Sequence, residues 1–310
     1  MPSPPYVALG DSYAAGVGGG DKRSECWRAV EGYPVLVARS LGLDLSYQAC
    51  IGTTIGNVER DQLAALGPET THVTLTVGGN DVGFVPVLIE CAKPSWMSDP
   101  GPLLDEALTV LRTRFPERLA ALLASIRERA PDAQVAVTAY PVLFNGEDCN
   151  ALTFFSPHEM RRIEEGVDEL ADVIGTAARG AGLGLVDPRG DFEGHAICDP
   201  QEWLNGASWP LEGSYHPNSL GHAAYARLVT TAFGGEVGEL GPGSDIRIVE
   251  GSARRGDAPT FRLPDLLSPQ SLEGARRHGL DPDHVARLAH EERHEELQQL
   301  DRALRARLRQ

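Results

Sequence analysis

The sequence predicts an α/β fold in which a parallel sheet lies between two layers of helix, and three observations carry that expectation. Short apolar runs rich in β-branched and aromatic residues recur at 6–9, 45–49, 73–77, 135–139 and 183–186. The stretches between them carry the three-to-four-residue apolar spacing of helices that cover a sheet. The first three runs end in small-residue loops, the place where such sheets present groups to a ligand.

Taken in order, residues 6–9 alternate like a short buried strand and run into Gly10-Asp11-Ser12, where small residues let the chain turn sharply and raise one hydroxyl. Residues 33–41 repeat apolar positions at helical spacing, and 45–49 form a second strand that delivers Cys50-Ile51-Gly52. Asn57 opens a helix to Leu66, and Val73, Leu75 and Val77 alternate with threonines in a third strand that ends in Gly78-Gly79-Asn80-Asp81. Residues 103–130 are helical in pattern and broken at Pro116, which starts the second helix, with Leu119, Leu122, Leu123 and Ile126 on its core face. A fourth strand at 135–139, a helix at 158–181, a fifth strand at 183–186 and a helix at 219–233 complete the succession. Between 187 and 214 the chain is an irregular loop leading to His216. Its Trp203 and Trp209, with Tyr215, are expected either to line a pocket or to plug the sheet edge, and His195 either to support the site or to lie on the surface.

Composition narrows the function classes. At 310 residues the chain is long enough for one large domain, or a domain with an appendage. No apolar run approaches the roughly 18 residues of a membrane span. The net charge is −16, and because residues 241–310 hold 12 acidic and 12 basic side chains, the whole deficit falls on residues 1–240. A surface of that sign disfavours nucleic acid and anionic membranes as partners. Residues 1–236 are read as the catalytic domain, 237–280, rich in Gly, Pro and Ser, as a linker, and 281–310 as a charged helix capped by Asp281-Pro282. That helix is expected to pack on its own domain or on a partner, or to be part of a partly disordered tail.

Four short blocks in order, Gly10-Asp11-Ser12, Gly52, Gly78-Gly79-Asn80-Asp81 and His216-Pro217-Asn218, resemble those of the SGNH (GDSL) hydrolases, in particular the secreted lipases and esterases of actinomycetes. The resemblance spans residues 6–234. It implies a three-layer α/β/α sandwich with a flavodoxin-like, five-stranded parallel sheet, to which the C-terminal helix is an addition. It also implies a serine esterase or lipase acting on small-molecule or lipid esters without cofactor or metal, with Ser12 as nucleophile and His216 as general base. The oxyanion donors would be the Ser12 and Gly52 backbone N–H groups and the Asn80 amide. The chemistry suits these residue types, since a neutral hydroxyl needs a base to take its proton and the developing oxyanion needs preset donors.

One departure matters. Many family members carry an aspartate three residues before the histidine, but position 213 here is glycine. By resemblance to some actinomycete members the Ser214 carbonyl would orient the ring instead, with Glu212 a less favoured third member. No GxSxG elbow is present, and the Gly16–Gly20 run fits neither a dinucleotide nor a phosphate loop. The competing functions are a non-catalytic protein of this fold that works through its tail, and a carbohydrate O-acetyl esterase or thioesterase with the same site.

The five cysteines show no CxxC or His-Cys spacing, so zinc is not expected. The residues alone do not choose a pairing. The resemblance implies Cys26–Cys50 and Cys149–Cys198, leaving Cys91 free. Disulfides imply an oxidising compartment. Met1-Pro2-Ser3-Pro4-Pro5 leaves no room for an export signal, so the expectation is a mature extracellular form, with a cytoplasmic protein of reduced thiols as the alternative.

Overall fold

A computed structural model describes residues 5–235 and 246–308. Six parallel strands form one sheet: β1 (Tyr6–Gly10), β2 (Leu45–Tyr47), β3 (His72–Thr76), β4 (Gln134–Thr138), β5 (Gly184–Val186) and β6 (Ile248–Glu250), in the order β5-β4-β3-β1-β2-β6. The first five follow the flavodoxin-like order that the family resemblance implied. The sixth is a correction to the five-stranded expectation. It is three residues long and sits beside β2 at the sheet edge, too short to show a period in sequence.

Helices cover both faces. They are α1 (Ser12–Ala15), α2 (Tyr33–Leu41), α3 (Ile55–Asn57), α4 (Phe84–Cys91), α5 (Gly101–Thr113), α6 (Phe115–Arg129), α7 (Pro157–Gly180) and α8 (Ser219–Ala232). β1 is central, with Tyr6 to Leu9 wholly buried, because a parallel strand covered on both sides must be apolar throughout. The break expected at Pro116 falls between α5 and α6. The single helix expected from Asn57 to Leu66 is instead α3 followed by a π turn, Val58–Gln62, and a 3-10 turn, Leu63–Ala65.

Part of the stretch read as a linker, 237–245, lies outside the described residues. The remainder carries β6, an extended segment and α9 (Pro269–Arg277). The charged stretch beyond 281 forms two helices, α10 (Pro282–His290) and α11 (His294–Leu308). Glu292 between them has φ +53°, a conformation that cannot continue a helix. Val285, Leu288, Leu297 and Leu304 pack with Ala275 against Trp96 and Phe154. Arg305 bonds Asp301 and Glu159 at 2.6 and 2.7 Å, and the Asp301 carboxylate accepts from the Ser95 N–H at 2.6 Å.

The Cys26 and Cys50 sulfurs are bonded, as are those of Cys149 and Cys198, and Cys91 is a buried free thiol. No helix of the described residues is long and apolar enough to cross a membrane. The one cluster of metal-ligand type among them is Cys149, Cys198 and Glu202, and both of its sulfurs are taken up by the disulfide.

Candidate active site

Ser12 owes its position to the end of β1. Gly10 has φ +127°, and a Cβ there would lie 2.0 Å from the Thr76 carbonyl oxygen, so only glycine lets β1 hug β3 while the chain turns. The Gln62 side chain clasps the same residue, accepting from the Gly10 N–H at 2.7 Å and donating to its carbonyl at 3.0 Å. Asp11 then caps α1 by accepting from the Tyr13 N–H at 3.0 Å. Its other oxygen accepts from the Tyr140 hydroxyl, which in turn accepts from the Gly79 N–H at 3.0 Å. The ends of β1 and β3 are thereby tied by one chain of hydrogen bonds. Burial pushes the Asp11 carboxyl up to about 7, partly offset by the Tyr140 bond.

Ser12 is 8 % exposed, and its Oγ lies 2.7 Å from His216 Nε2. The other ring nitrogen, Nδ1, is 2.8 Å from the Ser214 carbonyl. A carbonyl only accepts, so Nδ1 carries the proton and Nε2 presents its lone pair to the hydroxyl. Glu212 lines the same pocket, but among the described residues no hydrogen bond joins it to the ring. Burial pushes the His216 imidazolium down to about 4, against a smaller upward pull from the Ser214 carbonyl.

The histidine loop is held from both sides. The Tyr13 hydroxyl donates to the Tyr215 carbonyl at 2.9 Å, so the residue after the serine grips the residue before the histidine. Asn205 pairs with the loop through its N–H to the His216 carbonyl at 2.9 Å and its carbonyl to the Tyr215 N–H at 3.0 Å. Asn218 caps α8 and fixes where the loop ends.

Gly52 and Asn80 face the same pocket as Ser12 and His216. Asn80 Nδ2 donates to the Thr53 carbonyl at 2.9 Å, and the Asp81 carboxylate accepts from the Ile55 N–H at 3.0 and 3.2 Å. These two bonds lock the second and third blocks together. Burial pushes the Asp81 carboxyl up to about 6 despite that bond and Arg118 at 3.2 Å. Among the described residues neither the Ser12 N–H nor the Gly52 N–H meets an acceptor. For Ser12 this follows from its place at the start of a helix, whose first N–H groups have no partner within it.

The pocket wall is apolar, with Ile51, Phe84, Leu88, Leu143 and Leu170 among its residues. Of the three aromatic side chains expected near the site, Tyr215 alone lines it. Trp209 is 83 % exposed, and Trp203 is stacked against His195 at 3.7 Å, away from the pocket. Sequence reasoning missed Gln62, Tyr140 and Phe261. Their signal was absent because each reaches the site by tertiary placement, and only Asp81, inside the GGND block, stood in a motif.

Comparison with known proteins agrees with the geometry. A model of the GDSL-like lipase/acylhydrolase family matches residues 8–224. A lipase of Streptomyces rimosus is 33% identical over 223 residues, 70% of this chain and 82% of that protein. Lipase 1 of Streptomyces coelicolor is 33% identical over 224 residues, with the same coverage of 70% and 82%. Among solved structures, the extracellular lipase from Streptomyces rimosus superposes with a TM-score of 0.68 at 31% identity, covering 73% of this chain and 98% of that one. Phospholipase A1 from Streptomyces albidoflavus gives 0.67 at 31% identity over the same shares, 73% and 98%.

Proposed function

We propose, because the chain belongs to the GDSL-like lipase/acylhydrolase family, that it cleaves carboxylic esters through an acyl-enzyme on Ser12. It is a carboxylic ester hydrolase. The observation that carries the Ser12 assignment is the 2.7 Å contact between Ser12 Oγ and the lone-pair nitrogen of His216.

As Oγ attacks the ester carbonyl carbon, its proton passes to His216 Nε2 and the carbonyl electron pair becomes an oxyanion. The free Ser12 and Gly52 N–H groups and the second Asn80 amide hydrogen receive that oxyanion. Collapse breaks the bond to the leaving alcohol, which takes the proton from Nε2. A water then repeats both steps on the acyl-enzyme, with its proton passing through the same nitrogen. Among the described residues no carboxylate is hydrogen-bonded to the ring, and the Ser214 carbonyl orients it and steadies the transient imidazolium.

The apolar wall suits the acyl chain of a short to medium ester, and the likeness to a lipase and a phospholipase A1 supports a lipid or lipid-like substrate. Two disulfides and the likeness to an extracellular lipase support a site of action outside the cell. The test is p-nitrophenyl butyrate turnover by the parent, Ser12→Ala and His216→Ala. Each substitution is expected to lower kcat by about 10⁴-fold or more. Losses under about tenfold would remove the dyad from the mechanism.

A further inference from the structure

Beyond residue 224, where the match to the family model ends, the chain returns to the active site. β6 extends the sheet beside β2, and the Gly251 N–H continues the ladder to the Tyr47 carbonyl at 2.8 Å. The Gly256 N–H then bonds the Ile51 carbonyl at 2.9 Å, which seats the segment on the loop that holds Gly52. The approach is so close that a Cβ on Gly256 would lie 1.9 Å from the Gly52 carbonyl oxygen. A buried arginine clamps the two together. Arg28 donates to the Gln48 and Ala49 carbonyls at 3.1 and 3.0 Å on one side and to the Gly251 carbonyl at 3.0 Å on the other.

Fixed in this way, the segment turns Pro259, Thr260 and Phe261 into the lining of the pocket that holds Ser12 and His216. Phe261 is 5 % exposed, and its ring meets that of Tyr215 edge to face at 4.8 Å. The cavity left beside the serine holds about 50 Å³, small against the roughly 300–1,000 Å³ of most ligand sites.

We propose that residues 246–263 are a strap belonging to the active site, which holds Phe261 as the wall that limits acyl-chain length. The proposal rests on Ser12 being the nucleophile. A rigid aromatic ring closing an otherwise apolar pocket discriminates by volume: chains that fit behind the ester carbonyl are turned over, and longer ones meet the ring. Replacing the ring with a methyl group extends the pocket toward the strap, and enlarging it shortens the pocket. Because backbone pairing with Ile51 and the Arg28 clamp set the strap's position, the specificity of the site is written in a part of the chain outside the shared family blocks.

The experiment uses the full chain as parent, Phe261→Ala, Phe261→Trp and Ser12→Ala, with p-nitrophenyl acetate, butyrate, octanoate and laurate. The expected result is a laurate-to-butyrate ratio of kcat/KM that rises at least about tenfold in Phe261→Ala and falls in Phe261→Trp, the span that a change of pocket volume confers. Thermal melts accompany each variant, and if the alanine variant does not fold, the tryptophan variant decides by the direction of its shift. A ratio that moves less than about twofold, with all four esters slowed in parallel, would overturn the proposal and leave Phe261 a packing residue. Retention of parental rates by Ser12→Ala would instead overturn the nucleophile assignment, so the two failures are distinct.

Discussion

Acidifying the assay probes the most unusual electrostatic feature of the site. An ordinary histidine, titrating near 6.5, is only about one-tenth neutral at pH 5.5. His216 is pushed down to about 4 by burial, and among the described residues no carboxylate is hydrogen-bonded to it to hold the proton, so nearly all of it is neutral at pH 5.5. The neutral ring is the base, and activity is therefore lost as pH falls through about 4 rather than through 6.5. On p-nitrophenyl butyrate, kcat/KM at pH 5.5 is therefore expected to stay within about twofold of its pH 8 value, where an unperturbed base would lose about tenfold. The fold should tolerate the journey. The depressed imidazoles of His216 and His222 cost stability as pH falls from 6.5 toward 4. The raised carboxyls of Asp11, Asp81 and Glu164 regain it as they protonate below about 7, 6 and 7. The assay is a pH series of initial rates on the free enzyme. Asp11 itself titrates near neutrality, so the refuting result is an acid limb centred between 6 and 7 that persists in Asp11→Asn.

Four further outcomes follow from the same geometry. Asn80→Ala should lower kcat by about 10²–10³ with KM little changed, since the amide acts on the oxyanion rather than on the bound ester; steady-state kinetics read this directly. Glu212→Ala should cost less than about threefold in kcat, because Ser214 and not a carboxylate holds the ring, and a loss near 10⁴ would restore a triad. The native chain should give no reaction with a thiol reagent and one thiol per chain once unfolded, since Cys91 is buried with its thiol pushed up and the other four cysteines are bonded. Reduction of Cys26–Cys50, with its separation of 24 residues, should lower stability by roughly 3 kcal/mol in denaturant melts.

How much of this was legible in the sequence depends on whether a residue acts through a local pattern or through a distant contact. Ser12, Gly52, Asn80 and His216 were legible because each sits in one of the four short blocks that carry the family resemblance, in a loop at a strand end or a helix start. The Ser214 carbonyl was implied by resemblance to the actinomycete members that orient the histidine through a backbone carbonyl, a resemblance to which Gly213 pointed. A parallel sheet between helices followed from the alternation of strand and helix, and its order from the family resemblance, but β6 followed from neither, since three residues at an edge carry no period. The break between α10 and α11 was hidden because the intervening residues are charged and unremarkable as helix formers, and only the φ of Glu292 reveals it. Trp203 and Trp209, large aromatics in a loop near the histidine, left two readings open, a pocket or a plug at the sheet edge, and packing of Trp203 against His195 and exposure of Trp209 to solvent keep both out of the pocket. Arg28, Tyr140 and Phe261 have no sequence signal at all. Arg28 became meaningful only when the strap folded back onto the loop of Gly52, which is a fact of tertiary structure.

The central claim, one activated hydroxyl at Ser12, is tested most directly by covalent trapping with a fluorophosphonate. The reagent needs a serine oxygen deprotonated by its neighbour to displace fluoride, and peptide mass spectrometry locates the new phosphorus–oxygen bond. The expected result is stoichiometric labelling at Ser12 with parallel loss of esterase activity, and no labelling in His216→Ala. Labelling at another residue, or full activity after Ser12 is labelled, would contradict it.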